Sequence, residues 1–382
     1  MKIHKFFMPE IIFGSGSINQ VGESCIRLGA QNIFVVTDPG VISAGWIEPV
    51  INSFKEVGLS YTIFSEITTN PKDYEVENGA SQYREAECDA IVGVGGGSAI
   101  DVAKAIAIIS TNGGNIIDYE GVDKIKEPLP PQIMVATTAG SGSEVSQFSI
   151  IIDSRSKNKL TIISKSLVPD IAIIDPDTLV TKSALLTATT GLDVLTHGIE
   201  AYISIASTPL TDVQASNAIK LVAENLRPSV ASKLNREAKE NMAMASLQAG
   251  LAFSNAILGA VHAMSHAIGG HFLLPHGDVN SILLPHVMEF NFIASPHKFA
   301  KIAELFGEDK QNLNVMNAGD IAVNYVRQLS KDINAPQRLS QFGLTEDDAS
   351  KISQHALEDA CMITNPRDIS LTDVENLFKS AL

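Results

Sequence analysis

Cysteine is scarce in this chain. Its 382 residues hold three, Cys25, Cys88 and Cys361, far apart and with no CxxC pair. That excludes a disulfide framework and fits a reducing compartment. Long apolar runs are missing too: no window reaches the roughly 18 apolar residues of a membrane-spanning helix. The opening MKIHKFFMPE carries basic residues, but its apolar stretch stops at Pro9 and Glu10, short of a signal-peptide core. Positive charge is in deficit, with 28 Lys and Arg against 43 Asp and Glu and a net charge of −15. Such a balance argues against non-specific binding to nucleic acid or an anionic membrane, while leaving room for a local basic pocket. Low-complexity segments, internal repeats and long linkers are absent. These absences are read together as a soluble cytoplasmic protein with neither nucleic acid nor membrane as partner.

What is present is ordinary globular material, 45% hydrophobic and 19% charged, enough for two domains with substantial cores. The first half alternates apolar runs with amphipathic stretches. Strands are expected at 32–37, 60–64, 90–94, 133–137 and 171–174, with a helix from about Ala99. Short apolar runs spaced by helical stretches predict a parallel sheet covered on both faces. From about residue 183 the apolar residues recur at helical spacing and strand-like runs nearly vanish. The stretch 242–257, MAMASLQAGLAFSNAI, is rich in small residues and should pack close to its neighbours. The predicted organisation is an α/β domain over 1–180 and an all-helical domain over 181–382, divided after Asp175-Pro176-Asp177 and packed directly with a cleft between them.

Two loops in the α/β half suit a phosphate-bearing ligand. Gly95-Gly96-Gly97-Ser98 follows a strand and opens a helix. Glycines admit a close ligand, and a helix N-terminus offers free N–H groups. A tight strand-to-helix turn is the plainer explanation of such a loop. Its spacing is not the GxGxxG fingerprint, and the best strand-end acid, Asp38, precedes the loop instead of following it by about 20 residues. The winding is therefore a non-standard, Rossmann-like one. TTAGSGSE at 137–144 is a second such loop after a strand. Two loops at the carboxyl ends of parallel strands fit one extended ligand with a diphosphate.

The helical half concentrates histidine: five of the nine, His262, His266, His271, His276 and His286, fall within 262–286. His262 and His266 are four apart, so a helix places them on one face. Asp193 and His197 repeat that spacing. Two helices can thus aim ligand-bearing faces at one point. Imidazole with a carboxylate suits Fe²⁺ or Zn²⁺, not Mg²⁺ or Ca²⁺. Each residue alone is equally a packed core histidine or a helix-start acid. Spacing does not choose which of them are ligands.

The motifs FFMPEIIFGSGS (6–17), GGGSAID, TTAGSGSE, DPDTLV, TGLDVLTHGIEAY and HAMSHAIGG with PHG five residues on resemble the iron-dependent, group III alcohol dehydrogenases. That family includes lactaldehyde reductases and propanediol dehydrogenases. The likeness covers nearly the whole chain. It implies a dehydroquinate synthase-like architecture: an α/β dinucleotide domain followed by an all-α metal domain. It also implies metal ligands at Asp193, His197, His262 and His276, with His266 near the metal and nicotinamide but not a ligand. Cofactor positions implied by the resemblance are Gly95, Gly96, Gly97, Ser98, Asp101, Thr137, Thr138, Ser141 and Lys159, with Lys157 close by, and Asp38 where an acid favours NAD over NADP. A homodimer is implied as well.

The expected activity is hydride transfer between NAD(H) and a small alcohol, diol or aldehyde, with Fe²⁺ or Zn²⁺ as Lewis acid and His266 relaying the proton. The chain departs from the family at Ala99, Val194, Gly198, the stretch His271-Phe272-Leu273-Leu274 and Asp278-Val279. The last two bear on the substrate, and His271 is either a wall or interface residue or a substrate contact. The alternative function is an NAD- and metal-dependent sugar-phosphate cyclase. It needs several cations in the metal domain, where 183–292 has only Arg227, Arg236, Lys220, Lys233 and Lys239. A non-catalytic NAD or metal sensor is the third reading.

Overall fold

The structure, a computed structural model, describes residues 5–272, 274–309 and 314–382; Leu273, in one of the departing stretches, lies outside them. The chain divides into two compact units, Phe7–Thr181 and Lys182–Leu382, the second joined by the residues just before Phe7.

The first unit carries strands β1 (Glu10–Phe13), β2 (Asn32–Thr37), β3 (Ser60–Phe64), β4 (Ala90–Gly95), β5 (Gly121–Val122), β6 (Gln132–Ala136), β7 (Phe148–Ile152), β8 (Lys159–Ile163) and β9 (Ile171–Ile174). Its helices are α1 (Val21–Arg27), α2 (Pro39–Ser43), α3 (Ile47–Val57), α4 (Asp73–Glu85) and α5 (Gly97–Asn112). Six strands form one sheet in the order β1-β9-β6-β4-β2-β3, and every pair in it is parallel. Alternation along β2 shows why. Ile33 and Val35 pack with Val21 of α1 and with Val50 and Phe54 of α3. Phe34 and Val36 turn the other way, onto Val76 and Ala80 of α4 and Ile100 and Ile106 of α5. Both faces are thus buried, as continuous apolar runs require. Phe34, Phe54 and Phe64 are fully buried, each contributing about 1.5–3 kcal/mol.

All five expected strands are present, and β1 joins them. Four residues long and half exposed, it has no periodicity to reveal it; its register with Ile171–Ile174 makes it a strand. A small second sheet, β5-β8-β7, also escapes the sequence pattern. There Ile150 pairs antiparallel with Thr161, and Lys157 turns the hairpin at φ 63°. In the main sheet the chain runs from β2 to β3 on one side, then returns to β4 on the other. The switch point lies between β2 and β4, whose carboxyl ends carry Asp38 and the glycine loop, the place where open α/β sheets bind ligands.

The second unit is helical: α6 (Ala184–Ile203), α7 (Pro209–Ala231), α8 (Arg236–Ala256), α9 (Ala260–His271), α10 (His276–Asn291), α11 (Pro296–Leu305), α12 (Ala318–Asp332), α13 (Glu346–Glu358) and α14 (Leu371–Ala381). Ser183 caps α6, its Oγ accepting from Leu186 N–H at 3.1 Å. Thr208 and Pro209 start α7 in a capping box. The small residues of α8, including the fully buried Ala245, Ala249, Ala252 and Ala256, allow close packing with α6 and α7. Between α8 and α9 the chain bends by 97°. Ile257 makes that bend at φ 60°, a conformation costly for a β-branched residue. Among the described residues no single helix is long and apolar enough to cross a membrane; α8 and α9 pass only as this bent pair.

Candidate active site

Three helices build one cluster. Asp193 and His197 share a face of α6; His262 and His266 share a face of α9; His276 is the first residue of α10, set by Pro275. Asp193, His262 and His276 each direct one ligand atom inward, and these atoms lie within 4.8 Å of one another. His262 Nε2 is 3.7 Å from Asp193 Oδ1, and His197 Nε2 is 4.0 Å from the same oxygen. The His197 ring stacks between His262 and Phe253, at 4.6 and 4.5 Å between centroids. His266 stacks on His276 at 5.5 Å. Gly277 permits the arrangement: a Cβ there would meet the backbone oxygen of Thr189 at 2.8 Å, so only glycine lets α10 begin this close to α6, one turn from Asp193.

Other buried side chains orient these rings. Glu200, three residues after His197, meets His262 Nδ1 with Oε2 at 2.5 Å and accepts from Val261 N–H with Oε1 at 2.7 Å. One carboxylate thus caps the start of α9 and holds its first histidine. Burial pushes the Glu200 carboxyl up to about 7, against the lowering effect of hydrogen bonds from the Val261 and Gly259 backbone. Ser265 Oγ lies 2.9 Å from His276 Nδ1. With Nδ1–H donating to Glu200 and to Ser265, both rings turn an Nε2 lone pair to the common point, the tautomer a metal needs. Asn280, one turn after His276, donates from Nδ2 to Asp193 Oδ1 at 2.7 Å and lies 3.1 and 3.0 Å from Nε2 of His262 and His276. Its Oδ1 is buried with no hydrogen-bond partner among the described residues. A carboxylate, imidazole lone pairs and an orphaned amide oxygen in a largely buried cluster fit a divalent transition metal. His266 has its own orienter: Nδ1 is 2.9 Å from Asp359 Oδ2. Burial works to raise the Asp359 pKa, but the neighbouring His266 outweighs it and holds the carboxyl below its ordinary value.

The sheet supplies the second site. The α5 N-terminus, capped at Gly96, has no side-chain cap, so its N–H groups are available to an anion. Thr137 N–H donates to Gly95 O at 2.9 Å, bringing the two loops together. A Cβ on Gly96 would stand 3.2 Å from Thr138 Oγ1, and one on Gly97 3.0 Å from Ser141 Cβ. Gly96, Gly97, Ser98, Thr138 and Ser141 are partly exposed. Thr137 is fully buried, and its Oγ1 has no partner among the described residues. This glycine cradle at a helix start fits a diphosphate. Asp101 is buried one turn further along, its carboxyl raised by burial and lowered in part by Lys104. Lys159 is half-buried on β8 and its charge is felt by Asp101, whereas Lys157 is exposed in the hairpin turn. Asp38 ends β2 and caps α2, its Oδ1 accepting from Gly40 and Val41 N–H at 2.8 and 3.0 Å.

Comparison with known proteins decides between the readings. Residues 9–176 match the iron-containing alcohol dehydrogenase family, and residues 187–382 match the C-terminal part of the Fe-containing alcohol dehydrogenase family. The 1,3-propanediol dehydrogenase of Citrobacter freundii is 42% identical over 100% of this chain and 99% of its own. The NAD-dependent methanol dehydrogenase of Bacillus methanolicus is 40% identical over 99% of each. A solved 1,3-propanediol oxidoreductase superposes with a TM-score of 0.97 at 41% identity over the whole of both chains. The chain belongs to the iron-containing alcohol dehydrogenase family. It is an NAD-dependent alcohol dehydrogenase of that type, and the cyclase reading is not favoured.

Within this dehydrogenase not every sequence-stretch histidine joins the cluster. His271 is exposed at the end of α9, its Nδ1 3.2 Å from Ala267 O and its ring stacked on His355 at 5.1 Å. His286 sits on α10 near Glu289, Arg327 and Arg338, and burial lowers its pKa. Conversely, sequence reasoning missed Glu200, Ser265, Asn280 and Asp359. Glu200 and Asn280 were within reach, lying three and four residues after proposed ligands on the same helices. Asp359 had no signal, being 93 residues from His266.

Proposed function

We propose that Asp193, His197, His262 and His276 hold one divalent metal, iron with zinc as an acceptable substitute, and that the two glycine-rich loops bind NAD(H). The substrate class we infer is a small primary alcohol or terminal diol and the matching aldehyde. The relatives' names point the same way: 1,3-propanediol, methanol and, in an Escherichia coli relative 34% identical to this chain, lactaldehyde. The observation that carries the reading is the convergence of ligand atoms from Asp193, His262 and His276 within 4.8 Å, with His197 4.0 Å from Asp193.

When bound, the metal supplies Lewis acidity to the substrate oxygen and NAD supplies the hydride acceptor. The chain's residues do the rest. Glu200 and Ser265 keep His262 and His276 in the ligand tautomer. Asn280 steadies the Asp193 carboxylate. Phe253 backs His197 and keeps that side dry. His266, oriented by Asp359 through Nδ1, leaves Nε2 to take or give the alcohol proton. The homodimer implied by the resemblance belongs to this reading and is checked by sedimentation velocity.

The test is metal content beside NADH-coupled kinetics over a panel of C1–C4 aldehydes. Alanine at Asp193, His197, His262 or His276 should remove most of the metal and nearly all activity. His266→Ala should keep the metal and lose kcat by about 10²–10⁴-fold, less any rescue by solvent. Full metal in all four ligand variants would sink the assignment, and metal loss in His266→Ala would make that residue a ligand.

A further inference from the structure

The α/β unit contains a buried charge that the reading above leaves unused. Lys104 lies two turns into α5 and is fully buried. Its Nζ donates to the carbonyls of Ser143 and Ser146 at 2.7 Å each and of Phe148 at 3.0 Å, with Ser146 Oγ at 3.3 Å. An ammonium has three N–H groups, and three carbonyls meet them. All three come from the stretch that leads out of the 137–144 loop into β7. Asp101 and Glu144, also buried, attract the ammonium, while burial lowers its pKa. A buried cation persists only when it is paired and fully hydrogen-bonded; an apolar side chain would fill the space without that cost. What the ammonium adds is direction, because it gathers one particular backbone segment onto one point of α5. The glycine loop opens that helix, and the spacing between the loops is tight at Gly96 and Gly97.

We propose that Lys104 is a positioning residue for the nicotinamide cofactor: it fixes the segment 143–148 on α5 and thereby sets the spacing of the two loops that face the diphosphate. This rests on the assignment of those loops to NAD(H). The loops act as one cradle only while their separation is held, and a misplacement of about 1 Å in a positioning group can cost about a hundredfold.

The experiment uses the full-length, metal-loaded enzyme and titrates NADH and ADP by fluorescence and calorimetry. Lys104→Met, close in volume and without charge, should weaken NADH by about tenfold to a hundredfold. ADP, which has the diphosphate but no nicotinamide, should lose as much. The kinetic effect should fall on KM for NAD, with metal content unchanged and kcat at saturating NAD largely kept. Lys104→Gln, which keeps two donors, should recover part of the loss. Should Lys104→Met not accumulate as folded protein, Lys104→Gln is judged in its place, with a smaller but measurable loss of NADH affinity expected. Unchanged NADH affinity in a folded variant overturns the proposal, as does a loss of metal matching the loss of NADH. A wild type that binds no dinucleotide removes the underlying loop assignment instead.

Discussion

Asp38 shows how one residue serves two purposes. Its Oδ1 is committed to capping α2, while its Oδ2 stands over the start of the glycine loop, 3.2 Å from where a Cβ on Gly95 would lie. A carboxylate about 5 Å from a 2′-phosphate is repelled by about 3 kcal/mol at an effective dielectric of 20, roughly a hundredfold in affinity. The enzyme should therefore prefer NAD to NADP. Asp38→Asn keeps an acceptor for the cap and removes the charge, making it the cleaner probe; Asp38→Gly relaxes the same preference but gives up the cap bond as well. The ratio of kcat/KM for the two cofactors should fall by about tenfold or more in Asp38→Asn. A wild type that favours NADPH, or a ratio unmoved by the substitution, would show that Asp38 does not face the ribose. At this scale the sequence exposed residue identity and local spacing, as with the Asp193–His197 pair. It did not expose that Glu200 or Asp359 would orient a ring 62 or 93 residues away.

Between elements, the informative contact is the start of α10 against α6. At Gly277 the two backbones come close: a β-carbon there meets the oxygen and carbon of Thr189 at 2.8 and 3.1 Å. Neither atom can swing aside as a side chain would. Gly277→Ala must therefore move the first turn of α10, and His276 with it. Overpacking of this kind costs about 1–3 kcal/mol, and disturbing ligand support typically costs 10–100-fold in metal affinity. We expect a lower melting temperature and weaker metal retention in competition with a chelator, with NADH affinity unaltered. Retention equal to wild type would mean that His276 is positioned by something other than this approach. The i, i+4 pairs made α6 and α9 legible as helices, whereas His276, expected in a Pro-His-Gly turn, is the first residue of α10. The 97° bend at Ile257, and the choice of which faces meet, depend on packing and left no local mark.

For the molecule as a whole, the two compact units carry separate candidate sites: the histidine cluster on α6, α9 and α10, and the glycine cradle at the carboxyl ends of β2, β4 and β6. Each ligand should therefore stabilise its own unit, since anything that binds only the folded form raises local opening free energies. Hydrogen exchange on the metal-stripped enzyme checks this. Restoring metal should slow exchange in α6, α9 and α10, and adding NAD should slow it around 95–101 and 137–146. Metal protecting the α5 start while leaving α9 unchanged would contradict the division of sites.

By itself the sequence determined the class of fold, the five parallel strands β2, β3, β4, β6 and β9, the change to helix near residue 183 and the motifs that carry the family. These features are written locally, in residue type and in periods of two and 3.6, and survive without knowledge of any partner. Only the tertiary structure decided that β1 is a strand, because its pairing with β9 crosses about 160 residues of chain. It likewise placed His271 and His286 outside the cluster and His266 beside it, although all share one histidine-rich stretch. It brought Lys104 of α5 to the carbonyls of a segment some 40 residues further on. Such meetings are selected by burial, close approach and the need to pair every buried polar group, and those terms are summed over contacts that no stretch of sequence contains.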